Sequence, residues 1–188
     1  MKQVLIIVIA MTVGAFSFWA FSPLFIDKEV QDELDPTLVA RLEAQRKVDE
    51  ARQSSGPAEV IAEATTNVEQ TAPKPTTSVA ESFGIVSRGP FPITGTAGHP
   101  ARGTIEVIES PEEKLVYYKD YEGTNGPDLK VYLSKDLDGT DIIDLGDAKG
   151  NRGNLIYGVP LSVDLSEYEY VLTWCEAFGI LFDYAKIN

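Results

Sequence analysis

The chain has 188 residues, 29 of them acidic against 16 Lys and Arg, so it carries a formal charge of −13 at neutral pH. A body this acidic repels phosphate backbones and anionic headgroups, which argues against nucleic-acid or surface-lipid binding. One cysteine and one histidine rule out an internal disulfide, a covalent c-type haem attachment, a blue-copper centre and a Cys/His zinc cage within one chain.

Lys2 is followed by an apolar run from Val4 to Ile26, broken only by small or weakly polar residues and Pro23. At about 1.5 Å per residue such a run reaches across a hydrocarbon core about 30 Å thick. Bulky Phe18, Trp19 and Phe21 stand where a signal-peptide cut site wants small residues, so residues 1–26 read as an uncleaved transmembrane signal anchor. With Lys2 before the span and Asp27, Glu29, Asp32 and Glu33 after it, the expected topology is single-pass in the cell membrane, with the C-terminal domain outside the cytoplasm.

Residues 27–53 read as a polar stalk helix. Asp35 can cap it, Pro36 suits its first position, and Glu43 with Lys47 forms a favourable pair one turn apart. Residues 54–82 are rich in Pro, Thr, Ala and Ser, as in "TAPKPTTS", and cannot bury enough apolar surface to offset chain entropy. They read as a disordered linker.

From 83 to 188 the pattern changes to short strands between clusters of Gly, Pro, Asn and Asp. "GTIEVIE" and "KLVYYKD" alternate, and "PDLKVYLS", "DIIDLG", "NLIYGV", "EYEYVLTWC" and "GILFDYAKI" follow. Short strands with no helical stretch between them predict an all-β, antiparallel sandwich or barrel-like domain. If each strand reverses the one before it, one end of the domain collects His99, the Asn125–Asp128 turn, the Lys149–Gly153 loop and Cys175. Alternation in "YEYVLTWC" puts Tyr168, Tyr170, Leu172 and Trp174 on one face, the better candidate for the core. Glu169, Val171, Thr173 and Cys175 take the other face. Cys175 is then expected to be partly accessible at a strand end.

No P-loop, dinucleotide fingerprint or serine elbow is present, and "DLDGTDIIDLGD" lacks the spacing of a calcium loop, so its acids read as turn residues. The chemistry left is one thiol, one imidazole, and Tyr, Trp and acidic groups. The residue pattern alone leaves two readings of Cys175 open, a packed small hydrophobe and a reactive thiol. For a thiolate, His99 or Arg152 could supply part of the positive charge it needs.

"TNGPDLKVYLS", "DLGDAKGNRGNLIYGVP" and "LTWCEAFGILFDYAKI" together resemble the Skeletor-type electron-transfer domain, also called the DM-thirteen domain, over roughly residues 83–188. The resemblance implies a β-rich redox module whose cysteine works as a bare thiol or through a group such as haem. It carries over Cys175 as the redox position and Asn125, Gly126, Pro127 and Asp128 as the signature turn, with Trp174 beside the thiol. The expected function is a membrane-anchored extracytoplasmic electron-transfer module using a single cysteine, exchanging electrons with a separate redox protein. A bare thiol ranks above a haem or metal ligand, because one sulfur and one imidazole make a poor closed metal cage. The alternative is a non-catalytic, membrane-tethered binding or structural module with a packed cysteine.

Overall fold

A computed structural model describes residues 2–21, 26–54 and 84–188. The chain divides into two units, Met1–Leu34 with Val86–Asn188, and Asp35–Ile85.

The first unit opens with helix α1, Lys2–Phe21. Among the described residues no helix is long and apolar enough to cross a membrane. The expected span continues through residues 22–25, which lie outside the described residues.

Among the described residues the rest of the unit is all-β, in ten strands: β1 (Glu29–Gln31), β2 (Val86–Pro92), β3 (Thr94–Gly95), β4 (Arg102–Glu109), β5 (Lys114–Glu122), β6 (Leu129–Ser134), β7 (Ile142–Asp147), β8 (Arg152–Val159), β9 (Tyr170–Cys175) and β10 (Ile180–Lys186). They form two five-stranded sheets, ordered β1-β8-β5-β4-β2 and β3-β10-β9-β6-β7. The architecture is a sandwich. All pairings are antiparallel except β1 on β8.

Alternation explains the core. Ile105 and Val107 on β4, Val116 and Tyr118 on β5, and Leu155 and Tyr157 on β8 face Val131 and Leu133 on β6, Val171 on β9 and Ala185 on β10. Each fully buried aliphatic side chain contributes about 1.5–3 kcal/mol by leaving water, so this layer dominates the stability of the unit.

Two bulges break the alternation and place polar groups inside. In β5 the register slips between Tyr118 and Tyr121, with Asp120 at a φ of 49° and its N–H held by Asn154 Oδ1 at 3.0 Å. Tyr121 therefore turns inward, as Tyr118 does. In β10 the register slips between Leu181 and Asp183, which puts Asp183 opposite Thr173 and in step with Ala185. An extra residue reverses the faces of everything beyond it.

The expected path of simple reversals needs correction. Only β4–β5, β6–β7 and β9–β10 are consecutive pairs within a sheet, and the chain crosses to the other sheet after β2, β3, β5, β7 and β8. The two-sheet arrangement still brings the named turns to one end. Thr96 N–H donates to the carbonyl of Phe182 at 2.9 Å, Ala148 to Leu129 at 2.8 Å, Gly123 to Asn151 at 2.8 Å and Glu176 to Asp128 at 2.8 Å.

Tyr168, expected in the core, does lie in it, but within β9 the assignment of faces is reversed. Val171, Thr173 and Cys175 are buried on the side that carries the inter-sheet core, whereas Tyr170 and Trp174 are half-buried on the outer side. The outer face is nevertheless apolar, because cross-strand Tyr132 and Tyr184 cover Leu172. Counting apolar residues therefore misleads here.

Residues 27–34 are not helical. They run along the edge of β8 as a strap, and β1 pairs in parallel with Arg152–Asn154. Asp32 fastens its far end by accepting from Ile156 N–H at 2.9 Å and Lys149 Nζ at 2.7 Å.

In the second unit, helix α2 runs from Pro36 to Ser54. Thr37 N–H donates to Asp35 Oδ1 at 2.8 Å, the cap expected from the sequence. The linker expected over 54–82 lies outside the described residues beyond Ser54.

Candidate functional site

Cys175 is the last residue of β9. Its neighbours across the sheet are Leu129 of β6 and Ile180 of β10. The hairpin to β10 closes with Gly179 N–H on the Cys175 carbonyl at 2.8 Å, and Gly179 adopts a φ of 62° that side-chain-bearing residues avoid. The relative exposure of Cys175 is 0%. The expected partial accessibility is overturned, because the inward face of β9 lies under the opposite sheet rather than at an open edge.

The Asn125–Asp128 turn sits directly on this corner. Its last carbonyl, on Asp128, accepts the N–H of Glu176 at 2.8 Å. Gly126 packs where no side chain fits. A β-carbon there would stand 2.7 Å from Leu129 Cδ2 and 2.9 Å from Phe182 Cε2. The Phe182 ring in turn stacks on His99, with centroids 3.8 Å apart and planes 15° from parallel. Leu129 thus links Cys175 to the signature turn, and Phe182 links that turn to His99. His99 Nδ1 is buried without a hydrogen-bond partner among the described residues.

The other expected site residues serve different purposes. Asn125 Nδ2 donates to the Ile26 carbonyl at 3.0 Å and to Asp27 Oδ1 at 3.2 Å, so it anchors the strap. Arg152 is paired with Asp27 at 3.1 Å and half exposed, which commits its charge to the strap. Trp174 lies on the opposite face of β9 from Cys175, with its ring over Gly139. Pro127 and Asp128 line a half-open groove of about 350 Å³ together with Ile26, Lys28, Asp147 and Asn151. Asn151 spans strap and domain, accepting from Lys28 N–H at 2.7 Å and donating to Asp27 Oδ1 at 2.9 Å.

A haem or metal held by Cys175 does not fit these residues. The sulfur has no open face along which an iron could approach. Among the described residues no group of three His, Cys, Asp or Glu side chains gathers to hold a metal ion.

Sequence reasoning missed a polar cluster between the sheets. Tyr121 donates its hydroxyl to Asp183 Oδ2 at 2.8 Å, with both residues buried, at 3% and 2% exposure. Burial pushes the Asp183 carboxyl up to about 6, held back by the hydroxyls of Thr173 and Tyr121 beside it. Burial and the Asp183 charge push the Tyr121 phenol well above its ordinary range, and Tyr118 likewise. The hydroxyls of Tyr118 and Thr173 are buried without a partner at full hydrogen-bond geometry among the described residues. One sequence signal pointed here: Asp183 is the only acid in "GILFDYAKI".

A family model described as Electron transfer DM13 matches residues 93–187, just over half of the chain. No curated protein and no solved structure matches the chain.

Proposed function

The chain belongs to the electron transfer DM13 family, and from that membership we propose that it is a membrane-anchored, extracytoplasmic electron-transfer module with Cys175 as its redox thiol. The observation that supports this reading is the position of Cys175 at the end of β9, beneath the signature turn. An electron can enter or leave a buried sulfur through packed residues. An exchange of sulfur bonds requires the corner to lift, and the bond from Glu176 N–H to the Asp128 carbonyl holds that corner shut. The electron donor or acceptor in this reading is a separate protein. The apolar run Val4–Ile26 and the charges flanking it support the anchor and its direction.

A second reading is a tethered binding or structural module in which Cys175 only packs. The complete enclosure of the sulfur favours it. The two separate in one experiment on the full chain and its Cys175→Ser variant, combining thiol labelling, absorption and film voltammetry. The redox reading expects a reversible wave that the variant lacks. Identical voltammograms, with only stability lost in the variant, would leave the packing reading.

A further inference from the structure

We propose that Tyr121 and Asp183 form a proton-coupled redox pair inside the sandwich, with Tyr118 and Tyr157 extending it as an aromatic relay. This rests on the electron-transfer reading of the domain but not on the sulfur.

The choice of residue types carries the argument. A carboxylate between two sheets costs several kcal/mol unless a cation or a full set of donors compensates it. Among the described residues no cation pairs with Asp183; the hydroxyls beside it are those of Tyr121, which donates at 2.8 Å, and of Thr173. An amide would accept that bond without the charge. A carboxylate adds one capacity an amide lacks, which is to take the proton. The bulge at Tyr118–Tyr121 turns Tyr121 inward beside Tyr118, while Asp183, just past the bulge at Leu181–Asp183, shares the inward face of Ala185, and so phenol and carboxylate meet between the sheets.

The step balances as follows. Tyr121 loses one electron to a one-electron outer-sphere oxidant, which is reduced by one. The Tyr121 O–H bond breaks as an O–H bond forms on Asp183 Oδ2, across the existing 2.8 Å hydrogen bond. The products are a neutral tyrosyl radical and a neutral carboxylic acid. Oxidation thereby removes the one buried negative charge of the cluster, so the low-dielectric surroundings that disfavour ionised Asp183 favour the oxidised pair. A one-electron reductant reverses both transfers.

The rings extend in one direction. Tyr121 meets Tyr118 edge-on with centroids 5.2 Å apart, and Tyr118 meets Tyr157 edge-on at 5.7 Å. The Tyr157 hydroxyl accepts the main-chain N–H of Lys149 at 3.0 Å, on the exposed loop before β8. Among the described residues the Tyr118 hydroxyl makes no full hydrogen bond and has only the Thr173 hydroxyl beside it, whereas Tyr121 is bonded to a carboxylate, so an electron hole passing along the relay comes to rest at Tyr121.

The test is flash oxidation of the full-length chain in detergent with photogenerated tris(bipyridine)ruthenium(III), followed by electron paramagnetic resonance. The expected result is a long-lived tyrosyl signal, slower to form in deuterated water. Tyr121→Phe and Asp183→Asn, each checked for native circular dichroism, should lose it. A long-lived signal unchanged in a folded Tyr121→Phe variant would overturn the proposal. So would a wild-type signal whose formation ignores deuteration, a readout that needs no variant to fold. Cys175→Ser distinguishes this proposal from the thiol reading. If the radical persists there while wild-type thiol voltammetry is silent, only the thiol reading fails. If the thiol wave is present and no long-lived radical forms, only the tyrosine pair fails.

Discussion

Gly126 lies against the Phe182 ring so closely that a β-carbon would come within 2.9 Å of Cε2, and within 2.7 Å of Leu129 Cδ2. This contact fixes the signature turn over the Cys175 corner. Gly126→Ala should therefore destabilise the domain by about 1–3 kcal/mol, the usual cost of overpacking. Chemical denaturation checks the magnitude. Cys175 should also label faster in this variant than in wild type, because the turn that covers it has been displaced.

Cys175 itself should resist a thiol reagent in the native state, labelling only as fast as the corner or the whole domain opens. Cys175→Ser puts a hydroxyl where the enclosed sulfur was, and should cost about 1–3 kcal/mol if that hydroxyl finds no partner. Labelling kinetics with increasing denaturant check the first statement, and equilibrium unfolding checks the second. Rapid labelling of native protein would contradict the enclosure.

Asp183 sets a pH dependence of definite sign. Its carboxyl titrates at about 6 when folded, against an ordinary 3.8. Between those values the folded state holds a proton that the unfolded state has lost, so stability falls as pH rises through the window. The loss is on the order of 3 kcal/mol and is complete above the folded value. Asp183→Asn keeps an acceptor for Tyr121 and removes this loss. The stability of the variant relative to wild type should rise between about pH 4 and about pH 7. Comparing the two proteins cancels the carboxylates whose slope is opposite, such as Asp32 and Asp164.

The strap gives a fourth expectation. Burial pushes the Asp32 carboxyl up, but Lys149 and the Ile156 N–H together leave it below the usual carboxylate range. Its stabilising effect is therefore present at neutral pH and lost as pH falls through that range. Asp32→Ala should cost about 1 kcal/mol and lower hydrogen-exchange protection at residues 29–31 and at Ile156. Unchanged protection there would mean that Asp32 does not hold the strap.

Strands β4 to β10 were legible because most of them alternate over their length, and α2 because Asp35–Pro36 is a complete start signal, whereas β2 and β3 were not, since Gly89, Pro90 and Pro92 interrupt the pattern there. The gathering of His99, Asn125–Asp128 and Cys175 at one end was legible from strand parity, which survives the crossings between sheets. Two further things were hidden. A bulge inserts one residue and inverts every later face, so Tyr121 could not be assigned to the core by counting from Tyr118. The strap is three residues of strand within "DKEVQDE", whose pairing is specified by the edge of β8 and by Asn151, far away in sequence.

The strap also changes what residues 35–85 can do. The chain reaches the sandwich at residues 26–32, before α2 and the Pro-rich stretch, and re-enters it at Val86. That stretch is therefore an excursion closed at both ends on one domain, and its length does not set how far the domain stands from whatever holds α1. A protease cutting within it would leave two fragments still joined through the parallel strand pair, Asn151 and Asp32, so a nick there would not by itself shed the domain.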